Sequence, residues 1–179
     1  MGQVGQFALA LAFIVTIYSI ASSLLGIRLR NDKLIASGRN AAVCVFALIT
    51  TAIGTLAYLF LTSDFAYSYI AEHSNRDLPN YFKISSIWGG QEGSLLFRGW
   101  LLTIYTALVV IQNRKKHTAM MPYVTSVLMG TSLFFTSMHL FVANPFKLNA
   151  AAVGTQVMGV FSPADGQGLN PLLQDPMMV

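Results

Sequence analysis

Four long apolar segments constrain the fold of this chain more than any other feature. Phe7–Ile27 and Ala41–Ser63 contain no charged residue. Ser94–Gln112 carries only Arg98, and Thr118–Phe146 carries no formal charge. About 20 apolar residues cross the hydrocarbon core of a bilayer as a helix, because lipid offers backbone N–H and C=O groups no partner. We therefore predict an all-α membrane protein with about four transmembrane helices, at about 7–27, 41–63, 94–112 and 120–143.

The composition supports a bilayer as the solvent. Hydrophobic residues make up 54% of the chain, charged residues 10%, and the mean hydropathy is +0.57, which is too apolar for a water-soluble domain of this size. The net charge of +4 does not indicate nucleic-acid binding, because the basic residues are not gathered on one patch. Cys44, the single cysteine, allows no disulfide and no Cys-x-x-Cys-His haem attachment site.

The charges predict the orientation. Seven of the eleven basic residues lie in Arg28–Asn40 and Asn113–His117, which we interpret as short cytoplasmic loops. Six of the seven acidic residues lie in 64–93 and after residue 144. We therefore expect the amino terminus outside, an interfacial periplasmic loop between helices 2 and 3, and a carboxy-terminal tail on the same side. No basic residue precedes the first apolar run, so we expect that run to remain as a span rather than to be cleaved.

Two segments on the outer side could carry chemistry. In Ile84–Gly93, Trp88 is followed by two glycines, which permit a sharp bend or a close approach to a flat ligand. Glu92 and Ser94 would then lie near the start of a helix, where carboxylates and hydroxyls are favourable. An ordinary capped helix start and a ligand platform are both compatible with this pattern. Likewise, Gly168–Pro176 could be a plain surface loop or part of a site.

The three histidines show no metal-ligand spacing. We expect His117 in the basic loop and His73 in the outer loop to be solvated. His139 lies in the fourth span, where ionisable groups are functional candidates, although a hydrogen-bonded structural role is the alternative. The eight methionines form no cluster, and no phosphate-binding loop, nucleophile elbow or zinc-protease motif is present. We predict no metal site.

Three motifs resemble one family. Ser74–Leu96, reading SNRDLPNYFKISSIWGGQEGSLL, is similar to the signature between the second and third spans of CcmF-type haem lyases of bacterial cytochrome c maturation. ANPF at Ala143–Phe146 and LNPLLQDP at Leu169–Pro176 are further matches. NrfE proteins of the same cytochrome c assembly superfamily are closely similar to CcmF, and the motifs do not distinguish the two. Arg98 departs from the family, which usually has an aromatic residue there; an arginine could pair with Glu92, reach a haem propionate or extend to the lipid headgroups.

The resemblance implies a multi-pass protein of the bacterial inner membrane. It implies that this chain is a single polytopic unit from the amino-terminal part of a longer haem lyase, whose haem-ligand histidines and tryptophan-rich domain follow residue 179. Such proteins take haem from the periplasmic haem chaperone CcmE and help attach it covalently to apocytochrome c, together with CcmH and CcmI. The cofactor implied is haem b, bound by the longer protein rather than by this segment alone.

From these patterns we predict a haem or chaperone shelf on the outer side. Its candidate residues are Trp88, Gly89, Gly90, Gln91 and Glu92, with Asn170, Gln174 and Asp175 as weaker candidates; no catalytic residue is assigned. The alternative is a small four-helix membrane protein that serves as a structural or transporter subunit without a haem function.

Overall fold

The computed structural model describes residues 1–114, 119–148 and 166–168. Six α-helices and one 3₁₀ turn follow in order: α1 Gly2–Arg28, α2 Asp32–Leu61, α3 Ser68–His73, α4 Asn80–Ser85, the turn Ser86–Trp88, α5 Gln91–Gln112 and α6 Met121–Phe141. Four of them, α1, α2, α5 and α6, are long and apolar enough to cross a membrane. The prediction of an all-α fold with four spanning helices is confirmed for the described residues.

The turn between α1 and α2 is shorter than the sequence suggested. The side chain of Asn31 accepts hydrogen bonds from the backbone N–H groups of Lys33, at 3.0 Å, and Leu34, at 3.4 Å. This N-cap starts α2 at Asp32, so that only residues 29–31 lie outside a helix. The expected loop Arg28–Asn40 is therefore mostly the first turns of α2. The apolar run marks where a helix is buried in lipid, and the cap decides where it begins.

Small residues bring the first two helices together. The Ser19 hydroxyl on α1 donates to the Gly38 carbonyl on α2 at 2.8 Å, and a Cβ at Gly26 would collide with Ile35. Such close backbone approach is how helices associate inside lipid. Helix α6 packs on the other side of α1, α5 packs on α2, and α5 contacts α6, which closes a four-helix bundle.

One end of the bundle gathers the described segments that carry the Trp88 motif and the ANPF motif. Gly2 and Gly5 of α1 lie directly against the rings of Tyr67 and Phe146. The Ser68 N–H donates to the Lys147 carbonyl at 3.0 Å. The start of α1, the connection between α2 and α5, and the segment after α6 therefore share this end. We call residues 64–92, 142–148 and 166–168 the loop end.

The opposite end, which we call the turn end, carries basic residues. Arg28 and Arg30 lie at the α1–α2 turn. Arg39 on α2 reaches across to the end of α5, where its Nη1 donates to the Arg114 carbonyl at 2.9 Å. A cation at the carboxy-terminal end of a helix is favourable because the helix dipole is negative there. The structure thus places these basic residues at the end opposite the loop end, as the charge pattern predicts.

Candidate functional site

The predicted shelf residues form one continuous turn at the loop end. The 3₁₀ turn ends at Trp88, Gly90 is the N-cap of α5, and Gln91 and Glu92 belong to the first turn of that helix. Trp88 is 41% exposed, Gln91 is exposed, and Glu92 is half-buried. The turn therefore presents an indole, an amide and a carboxylate on a short stretch of backbone.

Gly90 and Gly93 are required by close contact rather than by backbone angle. Gly89 and Gly90 have φ values of −69° and −121°, which any residue adopts. A Cβ at Gly90, however, would collide with the rings of His73 and Tyr69. A Cβ at Gly93 would collide with the Ile87 carbonyl and the Tyr69 hydroxyl. The sharp bend expected from paired glycines is instead a close approach to α3.

Tyr69 on α3 holds the turn from beneath. Its hydroxyl accepts from the Gly90 N–H at 3.2 Å and lies within donating distance of the carbonyls of Ile87, at 3.0 Å, and Ser86, at 3.3 Å. Its ring packs edge-on against Phe60 of α2, with centroids 5.6 Å apart. Burial raises the pKa of the Tyr69 phenol far above its usual value. The hydroxyl therefore remains protonated and able to donate.

His73 is not the simple solvated residue expected from the sequence. Its ring stacks on Tyr69 with centroids 4.7 Å apart, and its Nδ1 lies 3.0 Å from the Tyr69 carbonyl. Because a carbonyl only accepts, this hydrogen bond requires the proton on Nδ1. The other ring nitrogen, Nε2, lies against Gly90. His73 thus completes the support of the shelf.

Aromatic rings continue from Trp88 along α5. Trp88 and Phe97 have centroids 5.6 Å apart, and Phe97 and Trp100 have centroids 5.9 Å apart. Trp100 is fixed to α2 by a hydrogen bond from its Nε1 to the Thr50 hydroxyl at 3.0 Å. The Ser94 hydroxyl donates to the Trp88 carbonyl at 2.6 Å and does not cap α5. This hydrogen bond fixes the backbone of Trp88 to α5.

The second predicted segment is described only at its beginning. The Gln167 N–H donates to the Ala71 carbonyl at 2.7 Å, and the Gly168 N–H donates to the Ser74 carbonyl at 3.2 Å. These carbonyls lie at the end of α3, which is the helix that supports the shelf. Residues 166–168 therefore lie beside the loop that carries Trp88. Asn170, Gln174 and Asp175 lie outside the described residues.

Sequence reasoning missed Tyr69 and His73 as parts of this site. They lie four residues apart and so on one face of α3. The adjacent glycines Gly89 and Gly90 indicated a sharp bend or a close approach to a flat ligand, but they did not identify Tyr69 and His73 as contact partners. These contact partners lie about 20 residues apart in the sequence, and a local sequence pattern does not reveal contacts over that distance.

His139, the candidate in the fourth span, lies apart from the shelf. It is 1% exposed on the inner face of α6, and Gly99 of α5 leaves room for its Nε2. Neither ring nitrogen has a hydrogen-bond partner among the described residues. No group of three potential metal ligands occurs in the described ranges.

Together, the fold and site define a class: a multi-pass membrane protein with four spanning helices and a structured, aromatic loop end. No protein-family model matches the chain. Curated relatives do: CcmF of Haemophilus influenzae is 34% identical over 98% of the chain, and NrfE of the same organism is 35% identical over 97%. CcmF of Pseudomonas aeruginosa is 34% identical over 97%. All three are described as cytochrome c-type biogenesis proteins.

The chain corresponds to the amino-terminal part of CcmF/NrfE-type cytochrome c-type biogenesis proteins, as its motifs predicted. It spans about a quarter of the length of these relatives, 25–26%. A solved structure, described as cytochrome c heme lyase CcmF, superposes with a TM-score of 0.74 at 24% identity, over 82% of this chain and 24% of that one. At this identity the superposition supports the fold alone.

Proposed function

We propose that this chain takes part in cytochrome c maturation as the amino-terminal part of a haem lyase in the bacterial inner membrane. The relatives at 34–35% identity support a role in cytochrome c maturation. The loop end is the surface where we place haem binding. The single observation that carries the proposal is the exposed Trp88 on a turn that α3 holds rigidly against the bundle. By the charge pattern, this end faces the periplasm.

The shelf fits a flat, amphipathic ring system. The Trp88 indole offers a broad apolar face, and Gly89 next to it adds no side chain. Gly90 lets the turn lie directly on the rings of Tyr69 and His73. Gln91 and Glu92 follow in the first turn of α5 and can orient polar groups on haem or on the chaperone that delivers it. None of the five residues is an imidazole or a thiolate, so the shelf contacts the ring without ligating iron.

Haem supplies the vinyl groups that react with the cysteine thiols of apocytochrome c. We assign that bond formation, and the iron ligands, to regions that the longer relatives have outside the stretch this chain matches. CcmE as the haem donor and CcmH and CcmI as further partners belong to the same proposal. Within it, this chain receives and orients haem and leaves the covalent step to other residues.

The test is cytochrome c maturation by full-length protein carrying Trp88→Ala or Glu92→Ala. We expect the yield of covalent haem to fall about tenfold for Trp88→Ala, because a lost aromatic contact of about 1.5 kcal/mol corresponds to that factor. Tyr81→Ala is the matched control, since Tyr81 is 60% exposed at the same end but outside the turn. Normal maturation by both shelf variants, at normal protein levels, would show that the shelf has no such role.

A further inference from the structure

Arg98 is exposed on the outward face of α5. The residues of this helix that face the bundle are buried, namely Leu96, Gly99, Thr103 and Thr106. Arg98 instead lies on a stripe with Leu101, Tyr105 and Leu108, all of them exposed and otherwise apolar. A charged group on an apolar surface of a spanning helix needs an anionic or aqueous partner.

Arg98 finds no such partner within the described part of the chain. No ion pair within 4 Å joins it to Glu92, which was the pairing considered from the sequence. Arg98 lies seven residues after the start of α5 at Gln91, or about 10 Å along the helix axis. Helical side chains lean toward the amino-terminal end, so the guanidinium reaches back toward the headgroup level at the loop end.

A shallow groove meets the guanidinium there. It is lined by Trp88, Ser94, Phe97 and Arg98, and we call it the Arg98 groove. Two walls are aromatic, with ring centroids 5.6 Å apart, and the Ser94 hydroxyl hydrogen is already donated to the Trp88 carbonyl. Arg98 is therefore the cationic donor of the groove. The matching ligand has an oxyanion beside an apolar body.

We propose that the Arg98 groove binds the phosphate of an anionic phospholipid, whose acyl chains lie along the outward stripe of α5. The planar guanidinium matches the phosphate, and Trp88 packs at the headgroup level. The apolar stripe below Arg98 favours a lipid over free inorganic phosphate, which would leave Leu101 and Tyr105 uncovered.

Quenching of Trp88 fluorescence by brominated lipids tests this proposal directly. The chain has two tryptophans, so Trp100→Phe leaves Trp88 as the single emitter. This 179-residue chain is placed in nanodiscs containing brominated phosphatidylglycerol or brominated phosphatidylcholine at equal mole fraction. We expect the anionic lipid to quench Trp88 at about fivefold lower mole fraction, the gain typical of one basic residue at a charged surface.

Three variants in this background isolate the groove. Arg98→Gln should abolish the preference for the anionic lipid, and Arg98→Lys should retain part of it, because the charge remains without the planar fork. Lys147→Gln is the matched control: it removes an exposed cation from the same end and should leave the preference intact. Circular dichroism verifies that each variant keeps its helix content.

Several outcomes would overturn the proposal. They are equal quenching by the two lipids in the parent protein, an unchanged preference in Arg98→Gln, or an equal loss in Lys147→Gln, which would indicate general charge attraction. A further arm adds haem to nanodiscs of unbrominated lipid. Arg98-dependent quenching by haem, without any by brominated phosphatidylglycerol, would show that the ligand class is wrong.

Discussion

The glycines of this chain differ in whether neighbouring atoms leave room for a side chain. Gly93 lies where any side chain would collide with the Ile87 carbonyl and the Tyr69 hydroxyl. Gly54, in the middle of α2, has no atom within 4 Å of the position its Cβ would occupy. The same substitution at these two sites should therefore have opposite effects on stability.

We expect Gly93→Ala to lower the free energy of unfolding by about 1–3 kcal/mol, as forced overpacking does. Gly54→Ala should leave it unchanged or raise it by up to about 1 kcal/mol, because alanine favours a helix over glycine. Thermal unfolding in detergent measures both. Equal melting temperatures for the two variants would mean that Gly93 does not touch the shelf support.

At the scale of elements, α3 joins the Trp88–Glu92 turn to residues 167–168. Its side chains Tyr69 and His73 hold the turn. The carbonyls of Ala71 in α3 and of Ser74, the residue after it, accept from the N–H groups of Gln167 and Gly168. Residues of this six-residue helix thus fix the shelf relative to the segment that leads into LNPLLQDP. We interpret α3 as the element that positions the site.

The Tyr69→Phe substitution tests this role. It leaves the Gly90 N–H without its acceptor and the Ile87 carbonyl without its donor, at a cost of about 1–3 kcal/mol for buried unpaired groups. Hydrogen exchange at the Gly90 amide should accelerate in Tyr69→Phe and stay unchanged in Tyr81→Phe, which alters an exposed tyrosine. Unchanged protection of Gly90 would exclude the Tyr69 hydroxyl as its support.

The raised pKa of Tyr69 predicts how the folding stability changes at alkaline pH. Above about pH 10 the phenol ionises in the unfolded chain while the folded chain keeps its proton. The unfolded state then binds fewer protons, so the stability contributed by Tyr69 is present below that pH and is lost as the pH rises. The fall in melting temperature above pH 10 should be smaller in Tyr69→Phe than in Tyr81→Phe.

The sequence predicts the spanning helices and the shelf turn better than it predicts what joins them. Apolar length identifies α1, α2, α5 and α6 because lipid requires it. Apolar length did not predict the start of α2 at Asp32, because Lys33 and Arg39 belong to the helix but lie outside the apolar run. Helix α3 was not predicted either, since six residues show no apolar period. Its side chains contact Phe60 of α2 and Gly90 of the turn, which are distant in sequence.

For the whole molecule, we propose that the Trp88 turn and the LNPLLQDP segment act on one side of the membrane. The start of α1, the Trp88 turn and the segment after α6 meet at the loop end, through contacts of Gly2, Gly5 and Ser68. The basic residues Arg30 and Arg39 lie at the turn end. Retention of basic segments in the cytoplasm would then place the loop end in the periplasm.

Cysteine labelling in intact cells tests this claim most directly. In a Cys44→Ser background, Gln91→Cys, Lys147→Cys and Arg30→Cys each introduce a single thiol at an exposed position. A membrane-impermeant maleimide should label the first two in spheroplasts and the third only after the membrane is permeabilised. Labelling of Gln91→Cys and Lys147→Cys from opposite sides, or of Arg30→Cys alone in intact spheroplasts, would contradict the account.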